Sequence, residues 1–258
     1  MNYRDILVEN SGEVGIITLN SPMTINALSL NIIAELTDAF EMYRSDGSKK
    51  AIIVRAVGKH FCSGHNLREM LGADLPKAKA IFEQCSKMMM LVHQIPQIVI
   101  AQVHGVATAA GCQFVAQCDL AIGDTTARFG TPGVKIGLFC TTPMVALSRA
   151  VGRKLAMEML MTGRLISAQE ALHYGLLNKV VEESELEKAT LEFANSICEA
   201  SPLTLAIGKK AFYDQIDMNL DSAYQYANNV IALNLMAHDA QEGIGCFLDK
   251  KKPVWKGR

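Results

Sequence analysis

The stretch at residues 102–119, QVHGVATAAGCQFVAQCD, decides how this chain is read. An apolar strand at 98–103 runs into a loop of small residues and then into a helix that opens near Ala110. Thr108, Ala109, Ala110 and Gly111 are small enough for a ligand to approach the backbone closely. The first amides of a helix have no partner inside it and carry the positive end of its dipole. A backbone donor here can hold an oxyanion. The same small residues also serve close packing of a helix on a strand, and taken alone the stretch favours that commoner use.

A second stretch, HFCSGHNLREM at 60–70, follows another apolar strand at 51–57 and also turns through small residues into a helix. Two strand–loop–helix units, each presenting a backbone N–H, are what a two-donor oxyanion hole requires.

These stretches stand in order with SPMTINALS near the start, ARFGTPGVKIGLF, TGRLISAQEALHYGLLNKVV, and QEGIGCFLDKKKPVW at the end. The ordered set resembles the enoyl-CoA hydratase/isomerase family, the crotonases, over nearly the whole chain. The resemblance implies an α/β fold, a crotonase-like spiral of ββα units with two sheets packed nearly perpendicular. It also implies a C-terminal helical region that builds trimers, often paired into hexamers. We expect a crotonase-like core over 1–199 and the helical region over 200–258.

Bulk properties bound the size of the core and the kinds of partner. The chain has 258 residues, half of them apolar, which suits one domain with an appended piece. Formal net charge is −1, so no general attraction to nucleic acid or to acidic membranes is expected. The 7 Cys are irregularly spaced and read as reduced thiols, and no His/Cys cluster has zinc spacing. No apolar run reaches the length of a membrane span. The sequence enters a strand pattern almost at once, which leads to the expectation of a cytoplasmic protein.

Along the chain, 6–9 and 14–19 read as strands joined by a turn at Ser11–Gly12. Ser29 caps a helix to about residue 44, and 77–94 is helical. Strand 120–123 follows the helix at 110–117. Short helices are expected at 143–150, 153–162 and 167–174, the last with a capping box of Ser167 and Glu170 and a stop at Gly175. A strand at 179–182 precedes helices at 183–199, 203–215, 220–237 and 241–250.

The resemblance implies an acyl-CoA thioester as ligand and a thioester enolate held by two backbone amides, here those of His65 and Ala110. No cofactor is implied, coenzyme A being part of the substrate. Hydratases of the family also use two glutamates. The first lies in the helix after the oxyanion loop, and that place is Gln113; the second follows a Pro in a short strand, and that place is Gly133. A carboxamide does not titrate near neutral pH, so Gln113 holds a water without taking its proton, and Gly133 offers no side chain. Two-glutamate hydration is therefore not expected. The alternatives are a lyase such as a malonyl-type acyl-CoA decarboxylase, a weak hydratase with a water on Gln113, and a non-catalytic acyl-CoA binder. Fatty-acid metabolism is the implied setting.

By the same resemblance, Asn26, Ala27 and Leu28 line the CoA pocket. Ser63, Gly64, Asn66, Leu67 and Arg68 continue that wall. Pro132, Phe139 and Cys140 border the acyl group, and Phe247 and Lys250 reach in from a neighbouring subunit. Cys140 is a candidate nucleophile in principle, but buried inert Cys is the commoner case. Arg128 and Lys135 are candidates to meet a carboxylate, or simply solvated charges.

Overall fold

The computed structural model describes residues 3–258; Met1 and Asn2, at the start of the expected 1–199 core, lie outside them. In chain order the strands are β1 (Ile6–Ser11), β2 (Val14–Leu19), β3 (Ala51–Ala56), β4 (Ile98–Val103), β5 (Val106–Thr108), β6 (Leu120–Asp124), β7 (Arg128–Gly130), β8 (Leu165–Ser167) and β9 (Lys179–Val181). The helices are α1 (Leu30–Ser45), α2 (Leu67–Met70), α3 (Leu75–Gln94), α4 (Ala110–Gln117), α5 (Thr141–Ala150), α6 (Arg153–Thr162), α7 (Ala168–His173), α8 (Leu186–Cys198), α9 (Pro202–Gln215), α10 (Leu220–Leu235) and α11 (His238–Asp249).

Six strands form one sheet in the order β1-β2-β3-β4-β6-β9. The pair β1–β2 is antiparallel, closed by Gly12 at φ +58°, and every other pair in this sheet is parallel. Parallel strands covered on both faces should be apolar throughout. The register shows why they are here. Ile52, Val54, Val99 and Ala101 face the main core beneath α1, α3 and α4. Their sequence neighbours Ile53 and Ile100 point the other way, into a smaller cluster with Ala194 and Cys198 of α8.

Local signals place the helices. Ser29 accepts the Ile32 N–H at the start of α1, and Asp74 accepts the Lys77 N–H at the start of α3. The expected capping box forms: Glu170 N–H donates to Ser167 Oγ, and Ser167 N–H donates to Glu170 Oε2. Of the three consecutive methionines, Met88 and Met89 enter the core and Met90 faces out.

A second sheet, β5-β7-β8, has strands of three residues each. Sequence reading treated 104–109 as loop and did not resolve β7 or β8, because three residues are too short for an alternation to register. The Thr131–Pro132–Gly133 segment is not strand either. It lies after β7 and opens a 3-10 turn over 132–136.

The C-terminal helices begin with α9, whose N-cap Ser201 accepts the Thr204 N–H. α9 is pinned to the core by Lys209, 6% exposed. Its Nζ donates to Val92 O at 2.5 Å, Gln97 O at 2.7 Å and Asp119 Oδ2 at 2.7 Å. Asp119 also accepts the Tyr213 hydroxyl at 2.7 Å and the Val99 N–H at 2.7 Å. The last residues return over α8 and α9: buried Asp239 accepts Ser201 Oγ, Lys256 N and Gly257 N, and Trp255 Nε1 donates to Glu199 O.

Candidate active site

Two loops meet at the head of the large sheet. The first carries Ser63, Gly64 and His65. Leu28 N–H donates to Gly64 O at 2.7 Å, and Asn66 N–H donates to Leu28 O at 3.2 Å. This bridge holds His65 between them while leaving its own N–H out of the ladder. The second loop carries Thr108 and Ala109 into α4. The loops are stitched by Cys62 N to Val106 O at 3.1 Å, Thr108 N to Cys62 O at 2.9 Å, and Thr108 Oγ1 to Ser63 O at 3.2 Å.

Glycine makes the closure possible. Gly64 has φ +99°, and a Cβ there would lie 2.8 Å from Ala109 Cβ and 3.2 Å from Ala110 N. The cost appears at Ala109, which sits at φ 50°, ψ −118°, a region that L side chains rarely adopt. Its amide is tied to Gly130 O at 2.9 Å, and its carbonyl accepts the first α4 bond, from Gln113 N. The strained residue of this loop is Ala109 and not Ala110. Ala110 itself is the first residue of α4, so its N–H has no intrahelical acceptor. Among the described residues neither the His65 nor the Ala110 amide has a partner in the chain.

Both donors line a cavity of about 360 Å³. Its walls are largely apolar, with Leu67, Met70, Phe82, Ile136, Leu138 and Phe139, and its hydroxyls come from Ser63, Thr141 and Thr142. Lys135 is the only lining residue with a permanent charge, and none of the lining residues is Asp or Glu. Pro132, Gly133, Cys140 and Pro143 complete it. The His65 ring is half-buried and meets the Phe82 ring edge-on, centroids 5.2 Å apart. Burial lowers its pKa from 6.5 to about 4, so the imidazole is neutral at physiological pH, and its Nε2 is buried without a partner.

The two positions where the family's glutamates would stand differ in kind. Gln113 is 5% exposed, its Oε1 has no partner, and it does not line the cavity. Gly133 does line it, but no side chain fits there. A Cβ on Gly133 would overlap the Leu138 carbonyl and lie 2.8 Å from Cys140 Sγ. Gly133 O accepts the Leu138 N–H at 3.0 Å, so this contact is part of the turn itself.

The other expected binding residues divide. Ser63, Leu67, Pro132, Phe139 and Cys140 line the cavity; Gly64 does not, its α-carbon instead facing Ala109 and Thr108 of the second loop. Asn26 is fully buried, and its side chain is committed to three backbone groups: Ser21 N, Val57 O and His60 O. Ala27 and Leu28 are buried beside it, supporting His65 rather than lining the cavity. Asn66 caps α2 by accepting the Arg68 N–H, and Arg68 is exposed outside the cavity. Phe247, 84% exposed, and Lys250 lie at the end of α11, away from the cavity of their own chain. Arg128 is spent on the Thr125 and Ala127 carbonyls. Phe82 and Met70 were not found from sequence; as apolar helix residues they carry no signal that separates lining from core.

A larger hollow of about 650 Å³ lies between residues 47–50, the start of α9 and the C-terminal tail. Its Lys50 is paired with Glu13 and Cys198 O, and its Lys49 with Gly12 O. No group of three or more His, Cys, Asp or Glu among the described residues is placed to hold a metal ion.

The fold is of the crotonase class, and a family model described as enoyl-CoA hydratase/isomerase matches residues 9–258. The chain belongs to that family. It is 46% identical over 252 residues to enoyl-CoA hydratase domain-containing protein 3, mitochondrial, of Danio rerio, covering 96% of this chain and 86% of that protein. The protein of the same name from Homo sapiens is 46% identical over 242 residues, covering 93% and 79%. The crystal structure of the human protein superposes with a TM-score of 0.96 at 44% identity, covering 98% of this chain and 100% of that one. An enoyl-CoA hydratase of Mycobacterium smegmatis gives a TM-score of 0.96 at 42% identity, covering 98% and 99%. The fold is thus the crotonase fold, as the resemblance implied. The SGH, ATAAGCQ, TPGV with IGLFC, and PVW segments are similar to the domain-containing protein 3 subgroup, and these relatives bear that out.

The expectation of a cytoplasmic protein does not stand. Relatives at 45–47% identity are named mitochondrial. That expectation rested on where the sequence begins, which is no evidence of compartment. No helix among the described residues is long and apolar enough to cross a membrane.

Proposed function

We propose that the protein binds an acyl-CoA thioester with its carbonyl oxygen on the His65 and Ala110 amides, and stabilises the thioester enolate there without adding water. The observation that carries this reading is the pair of unpartnered amides opening into a cavity with no carboxylate. Two aligned backbone donors in an apolar pocket favour charge that develops on an oxygen. Hydration needs a base to take a proton from water. Gln113 is an amide away from the cavity, and the space at Gly133 is filled by Leu138 and Cys140.

A substrate that brings its own leaving group needs no such base. The finer reading is therefore decarboxylation of a malonyl-type thioester. The bond from the α-carbon to the carboxylate breaks, its electron pair moves into the enolate, carbon dioxide leaves, and the α-carbon then takes a proton. Lys135 is the cation of the cavity, suited to receiving the carboxylate. Coenzyme A is part of the substrate, and no separate cofactor is invoked. Phe247 and Lys250 act across a subunit boundary in a homo-oligomer, a trimer or a dimer of trimers. Large apolar side chains of α10 and α11, including Ile231, Leu233 and Phe247, face outward and support this assembly.

Incubating the purified protein with a pooled acyl-CoA library and reading masses tests the reading. Loss of carbon dioxide from a malonyl-type thioester supports it. Gain of water by an enoyl thioester overturns it. Unchanged thioesters together with a raised melting temperature identify a binder that performs no chemistry. Light scattering on the same sample tests the oligomer.

A further inference from the structure

An enolate held in this cavity must receive a proton at its α-carbon, and few groups lining the cavity can supply one. The hydroxyls of Ser63, Thr141 and Thr142 are too weakly acidic to give up a proton readily. The His65 imidazole is neutral. Lys135 is exposed, and its stem runs across Gly163, where a Cβ would lie 3.1 Å from Lys135 Cε.

Cys140 remains, and its setting suits the task. It lines the cavity and is 7% exposed. It stands at the N-cap of α5, a helix of 10 residues. The bare α-carbon of Gly133 makes room for it: a Cβ there would lie 2.8 Å from Cys140 Sγ. The cavity is independently marked as a ligand site by two unpartnered amides and by the buried, unpartnered His65 Nε2.

We propose that the Cys140 thiol is a catalytic residue of this site, passing the proton to and from the α-carbon of the bound thioester. This rests on the enolate reading above. In the forward step the S–H bond breaks, its electron pair stays on sulfur, and a C–H bond forms at the α-carbon as charge leaves the oxygen on the two amides. Water then returns a proton to the sulfur. In reverse, the thiolate removes an α-proton from a saturated thioester. Burial pushes the thiol pKa up, which keeps it protonated and ready to donate. The N-terminal end of α5 steadies the thiolate while it exists.

Propionyl-CoA in heavy water tests this with the full-length protein. The wild type should exchange one α-hydrogen stereospecifically, at a rate that climbs with pH. Cys140→Ala should slow exchange by about 100-fold or more, lose that pH dependence, and still be stabilised thermally by propionyl-CoA. Cys140→Ser keeps the shape and polarity, should be similarly slow, and covers the case in which the Ala variant folds poorly. Undiminished exchange in Cys140→Ala or Cys140→Ser overturns the proton role while leaving the oxyanion hole intact. So does exchange that survives both and vanishes in Lys135→Met. No exchange by the wild type overturns the enolate reading itself, and this proposal with it.

Discussion

The carbonyl of Leu138 occupies the space that a Cβ on Gly133 would need. The missing carboxylate at this position is therefore not a vacancy that a point substitution can refill. Leu138 N–H donates to Gly133 O, so the clash is with backbone that the turn itself requires. Gly133→Ala should cost about 1–3 kcal/mol or more by overpacking, read from the midpoint of denaturant unfolding. Gly133→Glu combined with Gln113→Glu should give no enoyl hydration. A stable, hydrating double variant would refute this.

Ala109 tells the opposite story. Its φ of 50° with ψ of −118° costs about 1–3 kcal/mol for an L residue. Glycine removes that strain at a cost of about 0.5–1 kcal/mol in chain entropy. Ala109→Gly should therefore be neutral or stabilising, by up to about 2 kcal/mol. Ala109→Val should be strongly destabilising, since a branched side chain at positive φ is worse than Ala. Thermal melts of the two variants check the order.

Gly64 is the counterpart of Ala109 across the loop contact. Gly64→Ala places a Cβ 2.8 Å from Ala109 Cβ and 3.0 Å from Thr108 O, at φ +99°. Stability should fall by about 1–3 kcal/mol. Thioester affinity should fall further than stability alone explains, because the two loops that present the donors are forced apart. Titration of the folded variant with an acyl-CoA, followed by calorimetry, separates the two effects. Unchanged affinity would show that the amides do not hold the ligand.

The half-buried imidazole of His65 gives a pH signature. Its pKa falls from 6.5 unfolded to about 4 folded because burial disfavours the cation. Between those values the unfolded chain binds more protons, so stability falls as pH drops from 6.5 toward about 4. Below about 4 this contribution changes no further. His65→Gln removes the titration, and its unfolding free energy should fall less steeply across that window. Equal slopes for the two proteins would count against it.

Lys209 and Asp119 form the buried pair that joins α9 to the core. Removing one partner leaves an uncompensated buried charge, worth about 3–5 kcal/mol. Lys209→Met should destabilise by about that amount, and adding Asp119→Asn should recover part of the loss. An additive double variant would mean that the two groups are not coupled. Limited proteolysis should show α9 released before the sheet.

Much of this architecture is legible in the residues because the relevant signals are local and long enough to repeat. β3 and β4 announce themselves as continuous apolar runs, α1 by Ser29 and the spacing of Ile32, Leu36 and Phe40, and α7 by its capping box. The oxyanion candidates were also legible, since strand, small-residue loop and helix recur at His65 and Ala110. The strands β5, β7 and β8 were not, having three residues each. Nor was the commitment of Asn26 to three backbone groups, which depends on where residues 57–60 come to lie.

By itself the sequence determined the family, the longer strands and helices, and the absence of glutamate at 113 and 133. Each of these is written in residue types at fixed spacing. Only the tertiary structure decided that Gly133 cannot carry a side chain and that Gln113 stands outside the cavity. It also decided that the strain of the donor loop sits on Ala109, and that Lys209 is buried against Asp119. These facts concern groups far apart in the chain whose meeting depends on how the loops pack, and packing distances of a few tenths of an ångström are not encoded in any local pattern.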